Sequence, residues 1–124
     1  MPDAVLESFQ SRSFRLSLEI VKLFRQIRSS TDVPFHLANQ MLRAGTSIGA
    51  NLEEARSAHS DRDLAAKRAV SLREGRECQY WLKLIRADQP KLAKPIEPVL
   101  DECGQMVAML TVSVRKLRAK PNRC

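Results

Sequence analysis

Apolar positions recur along most of the chain at the alternating four- and three-residue steps of an amphipathic helix. Leu16, Ile20, Leu23 and Ile27 form one such stripe and predict a helix over about 11–29. Phe14, Leu18 and Val21 form a second apolar strip, about 160° away round the same axis. A helix that is apolar on two sides is expected to pack on two sides, one toward a core and one toward a neighbouring subunit. Phe14, Leu18 and Val21 are therefore candidate oligomer contacts.

A second helix is expected over about 34–58. The cluster Ser30, Thr31 and Asp32 offers capping oxygens, and Pro34 falls in the first turn. Its stripe is Leu37, Met41, Ala44, Ile48, Leu52 and Ala55, beside a mostly small surface of Ala38, Leu42, Gly45 and Gly49. Glycine inside a helix costs about 1 kcal/mol relative to alanine, so two glycines one turn apart predict a tight helix crossing. A third helix, about 61–87, has Ser60 as N-cap and Asp61 and Asp63 where the dipole favours negative charge. Its apolar face drifts from Ala65, Ala69 and Leu72 toward Gly75, Cys78, Leu82 and Ile85. The fourth, about 97–119, carries Ile96, Leu100, Cys103, Val107, Leu110, Val114 and Leu117, with Pro98 expected in its first turn. Four helices with short connectors predict an all-α, up-down-up-down antiparallel four-helix bundle, a single domain over 1–124.

Composition agrees. The chain has 124 residues, 44% of them apolar and 28% charged, with four glycines and six prolines, too few for the turns of a β-sandwich. No apolar run reaches the ~18 residues of a membrane span and no leader segment is evident, so a cytoplasmic protein without membrane partner is expected. The cysteines, Cys78, Cys103 and Cys124, show no zinc or disulfide spacing.

The net charge of +7 points to an anionic partner. In the expected topology the start of helix 1, the end of helix 2, the start of helix 3 and the end of helix 4 share one pole. That pole collects Arg12, Arg15, Arg56, Arg62, Lys67, Arg68, Arg115, Lys116, Arg118, Lys120 and Arg123. Opposing them are Asp3, Glu7, Glu53, Glu54, Asp61 and Asp63, so most of the excess charge lies there. Cations in the last turn complement a helix dipole, but the run continues through Lys120 and Arg123. The candidate RNA- or DNA-binding residues are Arg12, Arg15, Arg62, Arg68, Arg115, Lys116, Arg118, Lys120 and Arg123. Few aromatics accompany them, which predicts mostly electrostatic binding.

On the second helix Arg43, Ser47, Asn51 and Glu54 form a polar seam. If the following turn centres near residues 58 and 59, Arg43 lies level with Glu74, and a partly buried ion pair is expected between them. Catalysis is not expected. The Glu-x-x-His pairs of di-iron bundles are missing, since His36 follows Val33 and His59 follows Arg56 at that spacing. Neither a Gly-rich phosphate loop nor an HExxH motif occurs, and no cofactor or metal is expected.

The segment Arg43-Ala44-Gly45-Thr46-Ser47-Ile48-Gly49-Ala50-Asn51-Leu52-Glu53-Glu54 resembles the signature R-A-x-x-S-I-x-x-N-[IL]-x-E of the 23S rRNA intervening-sequence proteins. Ser71-Leu72-Arg73-Glu74-Gly75-Arg76-Glu77 and Tyr80-Trp81-Leu82 are similar to that family's third helix. Gly49 stands where proline is frequent, and Ala55 where glycine is. The family extends to the accessory variability determinant of diversity-generating retroelements. The resemblance implies a homopentameric barrel without enzymatic activity. Nucleic acid, or a reverse transcriptase in a retroelement, would be its partner. A scaffold that binds only proteins is the alternative reading.

Overall fold

The computed structural model describes residues 8–30 and 32–121. Four helices run α1 (Phe9–Ser30), α2 (Phe35–Ala55), α3 (Asp61–Asp88) and α4 (Ala93–Ala119), with a 3-10 turn at Pro90–Leu92 leading into α4. Each helix packs on its chain neighbours, and α4 returns to α1 in the sparsest of the contacts between the four helices. Contacts at two levels of each interface show that consecutive helices are antiparallel: Gln10 with Leu52 and Ile20 with Gly45, Ser71 with Ile48 and Trp81 with His36, Arg68 with Ser113 and Arg86 with Glu97. Ser71 of α3 donates its hydroxyl to the carbonyl of Ile48 on α2 at 2.8 Å, and Arg68 of α3 donates to Ser113 on α4 at 2.7 Å.

The core lies where the apolar spacing puts it. Leu16, Ile20, Leu23 and Ile27 are buried from α1, as are Met41, Ala44, Ile48, Leu52 and Ala55 from α2. The small surface of α2 serves a close crossing. A Cβ built on Gly45 would meet Ile20 side-chain atoms at 2.8–2.9 Å, and one on Gly49 would meet Ser17 Oγ at 3.2 Å.

The ends differ from expectation in three places. α2 stops at Ala55 because the amides of Arg56, Ser57 and Ala58 turn to the carbonyls three residues back, which tightens the chain before the next cap. At its start Pro34 is the cap residue and supplies no side-chain bond. Asp32 accepts from Gln89 Nε2 at 2.6 Å instead, and Thr31 lies outside the described residues. α4 begins four residues earlier than expected, so Pro98 sits inside the helix. Its buried line is also rotated: Ile96, Val99, Cys103, Met106, Leu110 and Val114 are buried, while Leu100 and Val107 are half-buried. The α3 start matches expectation. Ser60 Oγ accepts from the Asp63 amide at 3.0 Å, and Asp63 Oδ2 accepts from the His59 amide at 3.0 Å.

Candidate nucleic-acid interface

The basic pole is built by the last turn of α2, the first turns of α3 and the last turns of α4. α1 starts short of it. Gln10 Nε2 donates to the Leu52 carbonyl at 3.4 Å, and Phe9 lies under the Arg68 guanidinium, 4.9 Å from carbon to ring centre. The first two turns of α3 thus project past the start of α1. A cleft of about 420 Å³ lies there, lined by Gln10, Ala55, Arg56, His59, Ser60 and Arg68 among others.

Several of the cations assigned to this pole already have partners. Arg12 is held on the α1–α4 seam. Its guanidinium donates to both carboxylate oxygens of Glu102 at 2.5 and 3.0 Å, to Gln105 Oε1 at 2.5 Å and to Met109 Sδ at 3.1 Å. Only 19% of the Arg12 side chain and 15% of Glu102 remain exposed, so Arg12 is a strut rather than a pole residue. Arg68 is half-buried against Phe9 and Ser113, and burial pushes its pKa down. Lys67 is paired with Asp63 at 3.0 Å, Lys120 with Asp61 at 3.2 Å and Arg56 with Glu53 at 3.2 Å. Arg15 is exposed on α1. Arg123 lies outside the described residues. Arg62, Arg115, Lys116 and Arg118 are exposed, and no ion pair involves them among the described residues. These four are the exposed cations of the pole that stand outside its ion pairs.

The polar seam on α2 does not reach Glu74. Arg43 is exposed, and among the described residues neither it nor Glu74 enters an ion pair. Hydration holds the Arg43 guanidinium better than a half-buried pair would, because desolvation offsets most of such a pair's attraction. Asn51 bonds within its own helix, donating to the Ser47 carbonyl at 2.7 Å, and Glu54 is exposed. The polar link between α2 and α3 is instead the buried Ser71 hydroxyl on Ile48.

Phe14 is 67% exposed and Leu18 48% exposed, with Val21 half-buried, so the second strip of α1 faces outward. At the pole opposite the cations, Trp81 packs edge-on against His36 and Tyr80 at centroid distances of 6.0 and 5.1 Å. Arg28 covers Phe35 at 4.7 Å. Cys78 and Cys103 are fully buried free thiols. The hydrogen bond with Cys103, reinforced by burial, raises the Cys78 pKa well above its ordinary value, which keeps it an unreactive core thiol. Among the described residues no three His, Cys, Asp or Glu side chains group as metal ligands. No described helix is long and apolar enough to cross a membrane.

The sequence reading overlooked the Arg12 clamp and the exposed cations of mid-α3, Arg73 and Arg76. The clamp joins residues 90 apart in sequence, which periodicity cannot show. The α3 cations recur at helical spacing but stand between the two poles, on the side of the bundle.

Comparison with known proteins agrees with the bundle. A crystal structure of a protein of unknown function from the S23 ribosomal protein family of Bacteroides thetaiotaomicron VPI-5482 superposes with a TM-score of 0.78. The two share 27% sequence identity over 87% of this chain and 99% of that one. No curated protein matches significantly. The family model for 23S rRNA-intervening sequence proteins matches residues 7–112, and with most of its length so covered the chain belongs to that family.

Proposed function

We propose that this protein is a non-catalytic, homo-oligomeric scaffold that holds RNA or DNA through its phosphates. The observation that carries the reading is the set Arg62, Arg115, Lys116 and Arg118, exposed and unpaired where α3 begins and α4 ends. Cations already neutralised inside a fold release no counterions on binding, whereas free ones do. The exposed strip Phe14, Leu18 and Val21 supports assembly through α1, and a homopentamer is the assembly the family resemblance implies. Five copies would multiply a charge of +7 per chain. The free thiols Cys78 and Cys103 suit a reducing cytoplasm.

Filter binding with RNA and DNA oligonucleotides across a salt series tests the reading. The expected result is affinity at low salt that falls steeply as salt rises. No retention of either polymer at low salt overturns it. Sedimentation equilibrium at micromolar concentration tests the assembly, and a 14.0 kDa species would remove it.

A further inference from the structure

The unpaired cations do not stop at the pole. Arg62, Arg73, Arg76 and Lys83 are all exposed on α3, and no ion pair involves any of them among the described residues. With Ala66 and Ala69 between Arg62 and Arg73, and Tyr80 between Arg76 and Lys83, they follow one another at steps of four and three. That spacing places them in a single line along the helix. Along the second half of α3 the line lies opposite the buried Ser71, Gly75, Cys78 and Leu82 and forms an outer edge of the bundle, while nearer the start of the helix buried Ala65 and Leu72 fall beside it. Tyr80 is 57% exposed within it.

We infer that this outer edge of α3 is a track for a single nucleic-acid strand, with phosphates along the cations and an unpaired base stacked on Tyr80. The inference rests on the proposed nucleic-acid function and deepens it. From Arg62 to Lys83 the edge runs about 32 Å, room for a strand of several nucleotides. The alanines keep the surface low, so a backbone can lie close to the helix. Glu74 is half-buried toward α2, the side on which Trp81 meets His36, and Glu77 is exposed beside the line, one turn after Arg73. The α4-facing side of the track is left to Arg76 and Lys83. An exposed tyrosine ring stacks on any base but cannot reach one inside a duplex, which is why the occupant is a single strand. Arg62 belongs to both pole and track, so the two surfaces are continuous.

The test uses the full chain and a fluorescent 20-nucleotide poly(U), read by anisotropy over a salt series. Three variants are compared: Arg73→Gln/Arg76→Gln/Lys83→Gln on the track, Tyr80→Ala, and Arg115→Gln/Lys116→Gln/Arg118→Gln at the pole. The track variant should bind at least about tenfold more weakly and lose about two from its salt slope. Tyr80→Ala should lose about tenfold with the slope unchanged. The single tryptophan, Trp81, adjoins Tyr80, so poly(U) should quench its emission in the wild type and not in Tyr80→Ala. All substituted side chains are exposed, and melting by circular dichroism should be unchanged. Loss of binding in the pole variant alone, with track and Tyr80 variants like wild type, overturns the track and leaves the proposed function standing. Equal affinity for a 20-base-pair duplex overturns the single-strand assignment. A track variant that sediments as a smaller species would make the edge a subunit contact and overturn it too. Failure of the wild type to bind at low salt removes the proposed function, and the track with it.

Discussion

α3 is one helix with two unlike faces. Inward, Ser71, Gly75, Cys78 and Leu82 have almost no exposure, and Gly75 sits so close to α4 that a Cβ would lie 2.9 Å from Val107 Cγ2. Outward, Arg73, Arg76, Tyr80 and Lys83 stand in solvent. The inner face has no spare volume, and its residues are fixed by packing. The outer face has no packing to satisfy, so nothing in the fold requires its run of unpaired like charges. That difference separates residues the bundle needs from residues it merely carries. It predicts that inner substitutions cost stability and outer ones cost binding.

The sharpest challenge to the inner face is Gly75→Leu, which forces a branched side chain into the α3–α4 contact. We expect a loss of about 3 kcal/mol, read as a lower urea midpoint with an unchanged slope. A variant as stable as wild type would mean that the crossing is looser than its geometry. Next is Arg12→Ala, a cation on the inside of a seam. It strands Glu102, and because both partners keep some exposure the cost should be about 2 kcal/mol rather than the ~3–5 of a fully buried pair. Arg12→Ala should leave the salt slope of oligonucleotide binding untouched. A changed slope would return Arg12 to the accessible charge. Ser71→Ala removes the hydroxyl donated to Ile48, for an expected loss of about 1 kcal/mol, about 4 °C in melting temperature.

These examples also show where sequence reading succeeds. The burial of Leu16, Ile20, Leu23 and Ile27 follows from spacing alone, because one helical stripe has one place to go. Gly45 was legible because an unfavourable helix residue needs a compensating close approach, and Ile20 supplies it. The α2–α3 register was also close: Ser71 lies opposite Ile48, near the expected level. Register did not reveal which side of α2 Arg43 faces, so the ion pair with Glu74 failed although the level was nearly right. In α4 the regular heptad was misleading, since Val99 and Met106 compete with Leu100 and Val107 for the same core. Only the partner helices decide that rotation. The candidate interface was legible as net charge and misplaced in detail. Arg12 reaches a carboxylate far along the chain, and a list of cations cannot show which are already neutralised.

The smallest expected effect lies where the two faces of α3 begin, at Asp63. Its carboxylate accepts from Lys67 Nζ at 3.0 Å and from the His59 amide at 3.0 Å. The Lys67 bond is the larger reason its pKa falls below the ordinary 3.8, followed by the His59 amide, with desolvation opposing both. A carboxyl lowered on folding stabilises the native state fully above its unfolded value. The contribution fades as pH falls through the folded value, because the unfolded chain takes the proton first. Asp63→Asn should therefore be slightly less stable than wild type at pH 7, with a urea midpoint that converges on wild type as pH drops below about 4. Added salt should narrow the pH 7 difference as well, since the pair is near the surface. A gap that persists unchanged from pH 7 to pH 2 would mean the side chain acts only as a neutral cap. Lys67 would then be a free cation on the flank of α3, in addition to the line that starts at Arg62.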